Sequence, residues 1–135
     1  HILIEFPLMF KLNDAEDIVS DLIYKGYNVI LAHPERYVYV QKDMKYLEEF
    51  IDKGVYLQGN YESLIGKYGS KAEKVLKKLL KAGKIDLLAT DVHRENSTYT
   101  KMDKILKVLK KHTDAEYYEN ITINNPKKIL QNKNF

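Results

Sequence analysis

The sequence predicts an α/β fold in which parallel β-strands alternate with α-helices. Short, nearly continuous apolar runs recur along the chain, and segments with apolar residues at helical spacing separate them. Apolar runs of this kind are typical of parallel strands that are buried on both faces. Because 135 residues suit one domain with a buried core, we expect a single domain over residues 1–135.

The chain opens with the apolar run 2–6, which predicts the first strand. Asn13, followed three residues later by Glu16, matches the capping box that starts many helices. Apolar residues then recur at helical spacing, and Gly26 is well placed to end this helix. A second apolar run at residues 29–32 predicts the next strand.

The middle of the chain repeats the same alternation. Apolar residues at helical spacing predict a helix at about residues 44–53, and Gly54 ends it. The run 55–57 predicts the third strand. Ser70 with Glu73 forms another capping-box pattern, which predicts the start of a further amphipathic helix.

The last third of the chain adds one strand and two helices. The run 85–89 predicts the fourth strand, and apolar residues at helical spacing predict a helix around residues 102–109. Asn125 and Pro126 predict a short final helix, because proline is favoured in the first turn.

Composition excludes several classes of function. The chain has no cysteine, which excludes disulfides, thiolate metal sites and a cysteine nucleophile. A net charge of +3 is too small to indicate nucleic-acid binding. No apolar run is long enough to span a membrane, and the first residues do not resemble a signal peptide. We therefore expect a cytoplasmic protein, and the abrupt start within a strand suggests that sequence is missing upstream.

Polar residues follow each predicted strand. Glu5 ends the first, His33 follows the second, Asn60 follows the third, and Asp91 and His93 follow the fourth. These positions recur about 30 residues apart, which is the length of a βα unit. Because parallel strands end at one edge of a sheet, we expect the five side chains to lie near each other.

The residue types at this edge suit a metal site. Glu5, His33, Asp91 and His93 offer two carboxylates and two imidazoles, which suit Mn²⁺, Fe²⁺ or Zn²⁺. Two ions held by such a set can clamp a phosphate and generate hydroxide near neutral pH. Arg36 lies three residues after His33, so its guanidinium can face the same opening and grip phosphate oxygens.

Simpler interpretations of the same residues remain open. Asp91 could cap the segment that follows it. Glu35 and Arg36 could form a surface ion pair that contributes little to stability. Glu5 could face solvent at a sheet edge, and His112 is best read as a structural residue near a helix end.

Two tyrosines follow Arg36 directly. Tyr37 and Tyr39 could line a pocket for an aromatic ring, or their rings could pack amphipathically at the surface. Packing is the favoured interpretation for Tyr39, while both remain open for Tyr37.

Four segments of the chain carry a family resemblance. They are Ile-Leu-Ile-Glu-Phe at 2–6, Ala-His-Pro-Glu-Arg-Tyr at 32–37, Ala-Thr-Asp-Val-His at 89–93 and Asn-Pro-Lys-Lys-Ile-Leu at 125–130. Together they resemble the capsular-polysaccharide tyrosine phosphatases of the PHP (polymerase and histidinol phosphatase) superfamily. Asn60 and Ser63, with the segment 66–69, are similar to the same family's next loop. The resemblance covers essentially the whole chain, and His-Pro-Glu-Arg-Tyr is its most discriminating part.

The resemblance implies a distorted (β/α) barrel with a cluster of metal ions, usually Mn²⁺. It implies that metal-activated hydroxide hydrolyses phosphotyrosine on a polysaccharide-assembly tyrosine kinase. Arg36 would be catalytic by stabilising the transferred phosphoryl group, and Tyr37 and Asn60 would contact substrate. The metal ligands would be Glu5, His33, Asp91 and His93.

The chain departs from that family in one respect. The family's first strand carries an Asp-x-His-x-His motif, and this motif is absent here. We therefore expect the C-terminal half of the barrel, with an open sheet edge that favours self-association or pairing with the missing N-terminal half. Two other functions stay open: a PHP or amidohydrolase-like enzyme for a small phosphate ester, and a non-catalytic interaction module.

Overall fold

A four-stranded parallel sheet forms the centre of the computed structural model, which describes residues 1–93 and 98–134. The strands lie in chain order, so each βα unit places its strand beside the preceding one. This confirms the predicted α/β fold with parallel strands. The strands are β1 (Ile2–Ile4), β2 (Val29–Ala32), β3 (Tyr56–Asn60) and β4 (Leu87–Ala89).

Helices connect the strands and complete the chain. The α-helices are α1 (Ala15–Tyr24), α2 (Val38–Lys42), α3 (Glu48–Asp52), α4 (Ser70–Lys81), α5 (Met102–Leu109), α6 (Ala115–Glu119) and α7 (Asn125–Leu130). Short 3₁₀ helices span Pro34–Arg36, Met44–Leu47, Tyr61–Ile65 and Tyr99–Lys101, and a π-helical turn spans Asn120–Asn124. Within the described ranges, no helix is long and apolar enough to cross a membrane.

The helix predicted at residues 44–53 is divided. Its first part is the 3₁₀ helix Met44–Leu47, and only the second part is α-helical. The Asp43 carboxylate accepts a hydrogen bond from the Lys45 backbone N–H at 3.0 Å, which favours a tight turn at this point. The preceding helix α2 was not predicted, because five residues are too few to show a helical period.

Both predicted capping boxes are wrong. Helix α1 begins after Asp14, which makes no side-chain cap, and Glu16 accepts instead from the Lys11 ammonium at 3.0 Å. In α4, Ser70 is already helical and Gly69 occupies the cap position at a φ of +93°. The Ser70 hydroxyl therefore lies one residue too late to cap the helix.

The core lies where α4 packs against the sheet. Leu57 of β3 and Leu76 of α4 are fully buried there. Gly59 allows this close packing, because a Cβ at this position would lie 2.7 Å from Leu76 Cδ1 and 2.9 Å from Leu88 Cδ2. The absence of a side chain at this position thus brings α4, and the loop that precedes it, close to the carboxyl end of β3.

Candidate active site

The polar side chains that follow the strands meet at the carboxyl edge of the sheet, as the sequence predicts. They form two contacting groups, Glu5 with His33, and Arg36 with Asp91 and His93. These contacts connect loops that are far apart in sequence. The sheet register, rather than local spacing, therefore sets the geometry of the site.

The first group joins β1 to β2. His33 Nε2 lies 3.5 Å from Glu5 Oε1, with the imidazole buried and the carboxylate side chain 57% exposed. Burial, and then the nearby Arg36 charge, lower the pKa of His33 below its usual range. The neutral imidazole favoured by this shift is the form that binds metals.

The second group centres on the carboxylate of Asp91. Arg36 Nη1 donates a hydrogen bond to Asp91 Oδ2 at 2.9 Å. His93 Nε2 lies 2.8 Å from the other oxygen, Oδ1, and its side chain is 82% exposed. The interpretation of Glu35 and Arg36 as a surface ion pair is wrong, because Arg36 pairs with Asp91 and Glu35 is fully buried.

Two residues of the site have an unusual backbone conformation. His33 has a φ of +33°, and Asp91 has a φ of +51°. Left-handed backbone is uncommon outside glycine, but asparagine, aspartate and histidine tolerate it best. In both loops the left-handed conformation lies at a residue of the site itself.

Glu35 is a site residue whose role the sequence did not reveal. Its Oε1 accepts hydrogen bonds from the Asn60 backbone N–H at 2.9 Å and from Ser63 Oγ at 2.7 Å. Burial raises the pKa of Glu35 to about 7, although these hydrogen bonds oppose the shift. Glu35 therefore ties the loop after β2 to the loop after β3.

One sequence signal could have indicated this role. A 3₁₀ helix has three residues per turn, so His33 and Arg36 share a face and Glu35 points elsewhere. Because the face with His33 and Arg36 is directed to the opening, the face that carries Glu35 is directed to the core. The preference of proline for the first helical position could have suggested that a helical turn begins at Pro34.

The two residues predicted to contact substrate are buried. The Tyr37 hydroxyl accepts a hydrogen bond from the Phe6 backbone N–H at 3.1 Å, and its ring stacks on Tyr39. The Asn60 side chain accepts a hydrogen bond from the Glu62 backbone N–H at 2.9 Å. Both side chains brace the loops in this structure, and their substrate contacts stay predictions.

The family model for capsular polysaccharide synthesis proteins, CpsB/CapC, matches residues 1–131. The chain belongs to the CpsB/CapC family. This membership confirms the resemblance to capsular-polysaccharide phosphatases that the strand-end motifs indicated.

Named relatives agree with this membership. Tyrosine-protein phosphatase YwqE of Bacillus subtilis (strain 168) is 31% identical over 133 residues, which are 98% of this chain and 52% of the relative. Tyrosine-protein phosphatase CpsB of Streptococcus pneumoniae is 26% identical over 136 residues, which are 97% of this chain and 56% of the relative. The chain spans about half the length of the curated relatives it matches.

A solved structure shares the fold. The crystal structures of YwqE from Bacillus subtilis and CpsB from Streptococcus pneumoniae, which are described as metal-dependent tyrosine phosphatases, include a chain that superposes with a TM-score of 0.88. That chain is 30% identical, and the match covers 99% of this chain and 54% of the solved one. The parallel sheet and its helices are therefore those of this family, while barrel closure stays a prediction.

The donors of this CpsB/CapC chain fit a metal by type. Carboxylate oxygens and imidazole nitrogens suit Mn²⁺, Fe²⁺ and Zn²⁺. Among residues 1–93 and 98–134, no group of three or more histidine, cysteine, aspartate or glutamate side chains is arranged to hold an ion. The predicted ligands are therefore present as two pairs, Glu5 with His33 and Asp91 with His93, and their roles as ligands stay predictions.

Proposed function

We propose that this chain forms part of a metal-dependent phosphotyrosine phosphatase that acts in the cytoplasm on a polysaccharide-assembly tyrosine kinase. One observation carries the proposal. Arg36 lies at the same sheet edge as both donor pairs, hydrogen-bonded to the carboxylate shared with His93. The names of the family's relatives support the same activity.

Each side chain has a role in this proposal. Glu5, His33, Asp91 and His93 would hold divalent ions, with Mn²⁺ first and Fe²⁺ or Zn²⁺ as alternatives. Bound ions of this kind supply a hydroxide near neutral pH and neutralise phosphate charge.

Arg36 would bind the phosphoryl group. Its guanidinium carries five N–H donors, and one nitrogen is used by Asp91. The remaining donors can bind phosphate oxygens and stabilise charge that develops in the transition state. The phenolate that leaves has a pKa of about 10, which reduces the need for a strong general acid.

Each donor pair offers only two ligands to an ion. We propose that association with another chain supplies further ligands. Strands β1 and β4 are the outer strands of the sheet, and each pairs with one other strand in the described part of the chain. Open strand edges favour pairing with another strand. Leu3 of β1 is 55% exposed, which offers apolar surface for a second copy or for the part of the relatives' length that this chain does not span.

Hydrolysis of a phosphotyrosine peptide with added Mn²⁺ tests the proposal, together with calorimetric Mn²⁺ binding on the same samples. We expect His33→Ala to weaken Mn²⁺ binding, and Arg36→Ala to lower turnover about 100-fold without changing Mn²⁺ binding. His112→Ala is the matched control, because His112 lies near Lys81 and Gly83, before β4, and not at the carboxyl ends of the strands. Equal Mn²⁺ binding by the parent chain and His33→Ala would contradict the metal site.

The same assay separates the other functions. Hydrolysis of histidinol phosphate without hydrolysis of phosphotyrosine peptides would favour a small-molecule phosphoesterase. Failure of the chain to bind Mn²⁺, even together with the N-terminal half of a relative, would favour an interaction module. Sedimentation as a monomer at all concentrations would contradict self-association.

A further inference from the structure

The guanidinium group of Arg36 has two partners. Asp91 Oδ2 accepts a hydrogen bond from Nη1 at 2.9 Å. The ring of Tyr68 lies against the guanidinium group, with Arg36 Cζ 4.3 Å from the ring centroid. A cation at this distance from an aromatic ring is attracted by the electron density of the ring face. The proposed function uses Asp91, but it leaves Tyr68 without a role.

The loop that carries Tyr68 is held in place by its neighbours. Gly66 and Gly69, on either side of it, have φ angles of +80° and +93°, which side chains rarely adopt. Lys67 forms an ion pair with the buried carboxylate of Glu62, and the Lys67 backbone N–H also bonds to the Glu62 carbonyl at 3.2 Å. The loop thus presents Tyr68 from an anchored base.

This base is connected to the Arg36 loop by a second route. Glu35, the residue before Arg36, accepts hydrogen bonds from Asn60 and Ser63, which begin the same loop that ends in Tyr68. The backbone on both sides of the arginine–tyrosine contact is therefore fixed by buried hydrogen bonds. The ring and the guanidinium meet because two loops are tied together, rather than through a chance surface encounter.

We propose that Tyr68 is a positioning residue that holds the Arg36 guanidinium ready to bind an aryl phosphate, an inference that rests on the proposed phosphate-binding role of Arg36. Asp91 holds one nitrogen of the group and the Tyr68 ring lies against its central carbon, so two contacts restrict its motion while only one nitrogen is used by Asp91. A free arginine side chain loses rotamer entropy when it is ordered. A side chain that is already ordered avoids part of this cost when phosphate binds.

The first measurement is an NMR experiment that records the Nε–H signal of Arg36 in the metal-free chain. The sequence contains two arginines, Arg36 and Arg94, so the Nε–H signal of Arg36 is assignable from the spectrum of Arg36→Ala. We expect Tyr68→Leu to broaden this signal and to raise its hydrogen-exchange rate several-fold. Tyr68→Phe keeps the ring and should leave the signal unchanged. Tyr24→Leu, at a tyrosine that is 91% exposed, is the matched control.

The second measurement is calorimetric binding of phenylphosphonate, an aryl phosphate mimic that is not hydrolysed, in the presence of Mn²⁺. We expect Tyr68→Leu to weaken binding about tenfold, while Tyr68→Phe and Tyr24→Leu bind like the parent chain. Thermal unfolding of each variant separates loss of positioning from loss of folding. If Tyr68→Leu does not fold, Tyr68→Phe still tests the proposal, because an Arg36 signal or a phenylphosphonate affinity that differs from the parent chain would contradict a role carried by the ring.

The outcomes separate the two ideas. An Arg36 signal and a phenylphosphonate affinity that are the same in Tyr68→Leu and in the parent chain would overturn the positioning role. Unchanged phenylphosphonate binding by Arg36→Ala would instead overturn the phosphate-binding role on which the inference rests. Absence of phenylphosphonate binding by the parent chain would overturn both, even with an Arg36 signal that responds to Tyr68→Leu.

Discussion

The ends of the inner strands differ from the ends of the outer strands. After β2 and β3, Glu35, Asn60 and Ser63 are all buried and joined by hydrogen bonds. After β1 and β4, Glu5 and His93 have side chains that are largely exposed. The chain therefore completes the scaffold around Arg36 by itself, whereas it leaves metal-type donors open to further partners.

The largest expected effect tests the inner ends. Glu35→Ala removes the acceptor of two buried hydrogen bonds and leaves the Asn60 N–H without it, so we expect a loss of about 3 kcal/mol in the free energy of unfolding. Glu5→Ala, at an exposed position, should change it by less than about 0.5 kcal/mol. Urea denaturation measures both, and equal losses would remove the distinction between inner and outer ends.

A smaller effect sharpens the role of Ser63. Ser63→Ala deletes one of the two hydrogen bonds to Glu35 Oε1 and keeps the one from Asn60, so we expect a loss of about 1 kcal/mol. Ser70→Ala is the matched control, because Ser70 is exposed and does not cap α4. If urea denaturation finds the two variants equally stable, the Glu35 connection between the loops contributes little.

The smallest expected effect concerns Asp86 at the amino end of β4, which is the end of the sheet opposite to the site. Asp86 accepts a hydrogen bond from the Leu57 backbone N–H at 2.7 Å, and burial raises the pKa of its carboxyl. Because the folded pKa of Asp86 is higher than its unfolded pKa, folding favours the protonated carboxyl. The resulting contribution to stability is fully present below the unfolded pKa of about 3.9, and it is lost as the pH rises through the folded pKa. The asparagine in Asp86→Asn is neutral at every pH, and its side-chain oxygen can still accept the hydrogen bond from the Leu57 backbone N–H.

We therefore expect the stability of Asp86→Asn relative to the parent chain to increase from about pH 4 to about pH 7. Urea midpoints at the two pH values measure the change. A difference that does not depend on pH would show that Asp86 titrates as an exposed carboxyl.

The sequence predicted the sheet well because its signal is local. Each strand contains a short apolar run, and helical spacing between the runs favours parallel connections. The third strand extends past the predicted run 55–57 to the polar residue Asn60. The 3₁₀ helix at Pro34–Arg36 and the five-residue helix α2 were not predicted, since elements this short carry no period. The capping boxes failed because the same residue pattern also occurs one position away from a real helix start.

The sequence predicted which residues form the site, but it did not predict which of them contact each other. Parallel strands end together, so Glu5, His33, Asp91 and His93 were expected at one edge, and they lie there. The partner of Arg36 could not be predicted, because it is 55 residues away. Pairings over such distances depend on sheet register and loop geometry, which no local pattern contains.

The left-handed backbone at His33 and Asp91 bears on how the site can change by mutation. Histidine, aspartate and asparagine, apart from glycine, are the residues that such a backbone tolerates best. These are also residues that offer nitrogen or oxygen atoms to metal ions. Single substitutions within this set would exchange one donor for another without reshaping either loop. If His33 and Asp91 hold ions as we propose, we expect the ion preference to be evolvable at these two positions, on a backbone that stays the same.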